Sequence, residues 1–133
     1  AFARWIGDGR PAARSPGGLP PAEAIALVHE AGGAAVLAHP ASLALGMKKL
    51  TSFVARLANA GLDGIEVHRA DHNGEKFTRY GALARELGLI ATGGSDFHRP
   101  DGHVELGRTG EPPLPHTIPD RLLEAATRST SNV

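Results

Sequence analysis

The chain has 133 residues with 14 Lys+Arg against 14 Asp+Glu, so its formal charge is zero, and 41% of it is hydrophobic. That length holds one domain or part of one, and that apolar content supports a packed core, which excludes two full domains and wholesale disorder. A neutral balance provides no general basic field for a nucleic-acid backbone, so any nucleotide contact has to be local.

Cysteine is absent, which excludes a disulfide framework, a thiolate metal site and a thiol nucleophile. No apolar run reaches the roughly 18 residues that read as a membrane span, and the opening Ala1-Phe2-Ala3-Arg4-Trp5 lacks a signal-peptide layout. A soluble, cytoplasmic protein without membrane contact is expected. The start at Ala1, in sequence that reads as mid-protein, points to a fragment or a processed product.

Residues 7–20 are rich in Gly and Pro and read as a loop. A helix is expected over 21–31: Pro21 suits a first turn, Ala22, Ile25, Ala26 and His29 lie at helical spacing, and Gly32-Gly33 supplies the stop. Ala34 to Ala38 is a short apolar run closed by His39-Pro40, the pattern of a strand buried on both faces. The unit then repeats twice. Lys48 to Asn59 sets Leu50, Phe53, Val54, Leu57 and Ala58 on one helical face, stops at Gly61 and leads into a strand over 64–67. Glu75 to Leu87 carries Tyr80, Leu83, Ala84 and Leu87, stops at Gly88 and leads into a strand over 89–92. Helix–glycine–strand units in tandem imply an α/β fold with a parallel sheet and right-handed crossovers, as in a (β/α) barrel or an open layer. Beyond Gly93 the chain loosens; Leu122, Leu123 and Ala126 mark one last short helix, and the tail from Ser129 is polar.

Seven histidines stand out against this plain background. His39 follows the first strand, Glu66 lies near the end of the second, and Asp96 and His98 follow the third, so all fall on the carboxyl rim, where parallel α/β folds carry their sites. In an extended segment the side chains of Asp96 and His98 would point the same way about 7 Å apart, a separation that can grip one metal or flank two. Carboxylate and imidazole without sulfur suit Zn, Mn or Fe. Each residue alone has a plainer reading: His39 as a loop histidine, Asp96 as a turn cap, Glu66 as a structural ion-pair partner. Their joint occurrence at successive strand ends is what favours a metal site.

His68, Arg69, Asp71 and His72 form a polar cluster past the second strand, where a cation and an imidazole could hold a phosphate oxyanion; a solvated loop is the alternative. His29 shares a helical face with Ile25 and Ala26 and reads as a packing residue, whereas His103 and His116 read as solvent-facing. Gly93-Gly94 without a following Lys-Ser/Thr is a weak sign of a phosphate loop, and the Gly-x-Ser-x-Gly elbow of serine hydrolases is missing.

Three stretches, Ala34-Ala35-Val36-Leu37-Ala38-His39-Pro40, Gly61-Leu62-Asp63-Gly64-Ile65-Glu66-Val67 and Thr92-Gly93-Gly94-Ser95-Asp96-Phe97-His98, resemble the later motifs of the PHP (polymerase and histidinol phosphatase) family in order and spacing. Phe2-Ala3-Arg4-Trp5-Ile6-Gly7-Asp8-Gly9 and Val104-Glu105-Leu106-Gly107-Arg108 narrow the resemblance to the metal-dependent phosphoesterase branch acting on 3′,5′-nucleoside bisphosphates and short RNA ends. The resemblance implies a distorted (β/α)7 barrel with two or three Mn, Fe, Zn or Mg ions on its carboxyl rim. It implies His39, Asp96 and His98 as metal ligands. The family's earlier His-x-His motif, with its further His and Glu ligands, has no counterpart here, so residues 1–133 would be the C-terminal half of such a domain: a loop-rich 1–20, a βα core over 21–98, and a loop with a terminal helix over 99–133.

Where relatives commonly carry an aromatic-His-Pro run ahead of Asp-His, this chain reads His68-Arg69-Ala70-Asp71-His72. Asp71 and His72 fit the pattern and Arg69 departs from it. The expected activity of the intact protein is hydrolysis of a phosphate ester of a small nucleotide or short RNA end by a metal-activated hydroxide. His72 is the catalytic candidate, and Arg69 and His72 are the substrate-phosphate contacts. The missing N-terminal half of the barrel is the expected partner, and a half barrel with open sheet edges also allows self-association. The competing readings are a non-catalytic PHP-like structural module and a metal-dependent hydrolase of C–N bonds.

Overall fold

A computed structural model describes residues 18–72, 74–100 and 104–130. The loop read over residues 7–17, the motif at Phe2–Gly9, and His103 lie outside the described residues. The element order is α1 (Pro21–Glu30), β1 (Val36–Leu37), a 3₁₀ turn (Pro40–Leu43), α2 (Met47–Asn59), β2 (Gly64–His68), α3 (Gly74–Glu86), β3 (Ile90–Gly93) and α4 (Ile118–Thr130). The three strands form one parallel sheet in the order β1-β2-β3, the α/β architecture expected from the repeated units.

The glycine stops work as read. Gly32, Gly61 and Gly88 take positive φ of 75°, 101° and 68°, the left-handed geometry that closes a helix without a Cβ penalty. The reversal also aims the next apolar residue into the core. Leu62 N–H donates to the Leu57 carbonyl at 2.9 Å and Leu89 N–H to the Ala84 carbonyl at 2.8 Å, and both leucines are buried.

The central strand β2 is buried along its whole length. Alternation splits it: Ile65 and Val67 join Leu50, Val54 and Leu57 of α2 and Tyr80, Leu83 and Ala84 of α3 in the main core, while Glu66 and His68 take the opposite parity. Each fully buried aliphatic side chain contributes about 1.5–3 kcal/mol. A second, smaller core gathers Ile90, Ile118 and Ala125 under α4.

Three details differ from the sequence reading. β1 has only two residues, and Val36 is 37% exposed rather than buried on both faces; among the described residues β1 pairs only with β2. The last helix is not short; it runs thirteen residues and takes in Ser129 and Thr130. The chain between β1 and α2 forms a 3₁₀ turn that apolar periodicity does not announce.

The β2–β3 pairing shifts by one residue between Glu66 and His68, a bulge of the kind that re-aims side chains beside sites. There Gly93 lies directly against the His68 carbonyl and Cβ, with Leu114 also within contact range of any added carbon. Gly93→Ala is therefore expected to cost about 1–3 kcal/mol, the range for overpacking a filled position, and urea titration of the two proteins checks it.

Candidate functional site at the carboxyl rim

The loops leaving β1, β2 and β3 meet at one charged residue. Glu66, 8% exposed on β2, accepts a 2.6 Å hydrogen bond at Oε2 from the backbone N–H of His39. The same carboxylate lies 3.5 Å from Nη1 of Arg69. Arg69 then donates from Nε to Asp71 Oδ1 at 2.6 Å and from Nη1 to Asp96 Oδ2 at 3.3 Å. One guanidinium, itself 14% exposed, thus faces three carboxylates. The hydrogen bond to Asp71 holds Arg69 above its ordinary pKa although burial acts the other way. It likewise holds the Asp71 carboxyl below the usual carboxylate range.

The backbone at this rim turns left-handed twice. His39 has φ 31° and Asp96 φ 55°, values most residues avoid and that His, Asn and Asp adopt more readily. Glu66 holds the first of these in place through its bond to the His39 N–H. The second bends the chain after β3, so the Asp96–His98 segment is not extended: His98 Nδ1 folds back to donate to the Asp96 carbonyl at 2.6 Å. The same-side, extended clamp read from their spacing is therefore corrected by a left-handed Asp96.

The histidine rings are oriented by oxygen partners at Nδ1. Ser42 gives its hydroxyl proton to the His39 carbonyl at 2.8 Å, leaving its Oγ to accept from His39 Nδ1 at 3.3 Å. In His39 and His98 alike, Nδ1 is the ring nitrogen held by a neighbouring oxygen, so Nε2 is the nitrogen left outside these contacts. Both side chains are exposed. The donor set suits a divalent metal in kind, yet it falls short in number: among the described residues no three His, Asp or Glu side chains come together as a metal-holding group, and Asp96 faces Arg69. These residues by themselves do not fit the metal cluster.

The cluster past β2 is not an open loop. His68 is 6% exposed, tied through Nδ1 to the Pro112 carbonyl at 3.3 Å and set edge-on to Phe77. His72 is 8% exposed; its Nδ1 donates to the Val67 carbonyl at 2.8 Å, its ring meets Tyr80 edge-on, and its Nε2 is buried without a partner. The structure brings Arg69 to Asp96 but turns His72 inward, away from that pair. His29, read as a packing residue, is half-buried and bonds Asp63 Oδ2 at 2.8 Å, which also accepts from the Ala35 N–H, at the opposite end of the sheet. His116 is exposed, as read.

The hub at Arg69 is legible in part: Glu66 and Asp71 lie within three residues of it, whereas Asp96 comes from 27 residues away.

The lowered Asp71 pKa has a pH consequence. A carboxylate stabilised in the folded state contributes stability above its unfolded pKa, near the ordinary 3.8, and loses it as pH falls through the lower folded value. With 63% of the Asp71 side chain exposed, solvent screening keeps the effect below about 1 kcal/mol. Asp71→Asn should therefore be slightly less stable than the parent at pH 7, and the gap should close below pH 3.8; denaturant melts at both pH values check it.

No family model matches the chain. Among curated proteins it is 43% identical over 86 residues to the 5′-3′ exoribonuclease Rnm of Escherichia coli, covering 65% of this chain and 29% of that protein. It is 31% identical over 115 residues to the 3′,5′-nucleoside bisphosphate phosphatase of Chromobacterium violaceum, covering 85% of this chain and 40% of that protein. Among solved structures, an amidohydrolase from Chromobacterium violaceum with bound sulfate and no metal superposes with TM-score 0.67 at 31% identity, over 94% of this chain and 43% of that one. A protein from Bifidobacterium adolescentis assigned provisionally to the metal-dependent phosphoesterases superposes with TM-score 0.68 at 27% identity, over 93% and 43%. The chain thus spans between 29% and 43% of the length of these relatives. The motifs, the parallel βα units and these relatives together show the chain to be similar, over its own length, to part of the PHP-type phosphoesterases.

Proposed function

We propose that the longer protein to which this chain corresponds hydrolyses phosphate esters of small nucleotides or short RNA ends. The observation that carries this reading is the grouping of Glu66, Arg69 and Asp96 on the carboxyl rim, with His39 and His98 beside them, in a segment shared with proteins named as nucleotide and RNA phosphoesterases. In this reading His39, Asp96 and His98 are the chain's contribution to a metal shell completed by donors from the rest of the barrel. The metal reading accordingly belongs to the longer protein, and two or three ions of Mn, Fe, Zn or Mg are part of the proposal.

Arg69 is the group suited to a substrate phosphate. Its planar fork matches a phosphoryl oxygen pair, and an anion displacing the weaker of its carboxylate contacts exchanges one charge-assisted hydrogen bond for another. His72 enters this reading only as an inward imidazole beneath the loop, because its Nδ1 is committed to the Val67 carbonyl.

The test is hydrolysis of a 3′,5′-nucleoside bisphosphate and of a 5′-phosphorylated RNA oligonucleotide by the longer protein with added Mn²⁺. Asp96→Ala and His98→Ala should each lower kcat/KM by about 100-fold or more, in line with the loss of one electrostatic or ligand group. Arg69→Gln should act mainly on KM. Unchanged rates in both Asp96→Ala and His98→Ala would refute the assignment, and turnover of amide substrates alone would favour the amidohydrolase reading.

A further inference from the structure

The outer face of α2 carries a second, separate feature. Lys48, Lys49, Ser52 and Arg56 share the exposed side of the helix, away from the buried Leu50, Val54 and Leu57, and Phe53 sits at its border, partly buried and packed against the main core. With Leu45 they line a shallow groove of about 660 Å³. Arg56 lies over the Phe53 ring, 5.8 Å from its centroid. No Asp or Glu occurs between Glu30 and Asp63, and none of the three cations takes part in a salt bridge among the described residues. In a chain of zero net charge this is a concentrated positive track with no acidic partner among the described residues.

Its position and chemistry single out one occupant. Lys48 and Arg56 are eight residues apart, about 12 Å along the helix, so the charges lie along a line rather than converge on a point. The Arg56 guanidinium, with its Cζ 5.8 Å from the Phe53 ring centroid, offers a planar group against which an unpaired base can lie, and cations with planar groups are the combination that single-stranded nucleic acids use. The helix opens at Met47, four residues past the 3₁₀ turn that follows His39, so the track starts from the same rim as Arg69. Two lysines in the first helical turn, with no acid there, work against the helix dipole; the sequence keeps charge where folding alone would favour the opposite sign.

We propose that this face of α2 binds the backbone of single-stranded RNA and feeds its end toward the rim. The inference rests on the phosphoesterase reading for the direction of the strand, but binding itself is measurable without turnover. Fluorescence anisotropy of a labelled, 5′-phosphorylated 12-nucleotide RNA with the 133-residue chain at low salt reads it directly.

Lys48→Glu/Lys49→Glu is the informative variant, because acids in the first turn suit the dipole and the fold is retained or stabilised. We expect RNA affinity to fall at least tenfold in this variant while its Tm is unchanged or higher. The slope of log K against log salt should flatten by about 1.4, two phosphate contacts on a single strand. Arg56→Gln, which leaves the first turn untouched, should weaken binding severalfold. Equal RNA affinity in parent and variants, no binding by the parent, or binding to vesicles containing 30% phosphatidylserine in place of RNA would each overturn the proposal. A failed hydrolysis assay with intact RNA binding would count against the phosphoesterase reading and not against this groove.

Discussion

A single buried carboxylate organises the rim. Burying Glu66 is unfavourable unless its charge is met, and the structure meets it from two directions: the His39 N–H from the end of β1 and the Arg69 guanidinium from the end of β2. Each partner passes the constraint on. His39 holds a backbone conformation that few residues adopt, and Arg69 reaches across to Asp71 and Asp96, fastening the loop after β3. Three loops of unrelated sequence are thus tied together by charge and hydrogen bonding, where apolar packing would leave them independent. Taking away the Glu66 carboxylate would leave Arg69 and the His39 N–H without their shared partner, and such losses around buried charge are costly.

Much of the architecture was legible because the helices and the strands advertise themselves in different ways. Helical periodicity around Leu50, Val54 and Leu57, a glycine at each exit, and a short apolar run after it leave little freedom in the order of elements. What periodicity misses is context. Val36 reads as core because its neighbours are apolar, and only the pairing of the sheet shows that β1 meets β2 alone among the described residues. The 3₁₀ turn after His39 depends on Pro40 and on a left-handed histidine, a conformation that apolar periodicity does not announce.

The rim was legible as a place and less so as a geometry. Strand ends locate His39, Glu66, Asp96 and His98 on one side of the sheet, and that placement stands in the structure. Which atoms meet is another matter: the Asp96–His98 separation assumed an extended segment, and a single positive φ at Asp96 redirects His98 onto its own loop. His72 shows the same limit from the other side. A polar run His68-Arg69-Ala70-Asp71-His72 reads as a phosphate-holding cluster or a solvated loop, yet Phe77 and Tyr80 of α3 draw both imidazoles inward and leave Ala70 and Asp71 outside.

The division into two cores carries a consequence for how the molecule opens. The main core interlocks β2 with α2 and α3 through fully buried side chains, whereas α4 is held through the small cluster at Ile90, Ile118 and Ala125. Opening free energies follow buried apolar contacts, so the two regions form cooperative units of unequal stability. Backbone amides of α4 are therefore expected to exchange with solvent through local detachment of that helix, and those of β2 only through much wider unfolding. A protease or a chaperone meeting this protein would therefore encounter the C-terminal helix first, with the charged rim still assembled.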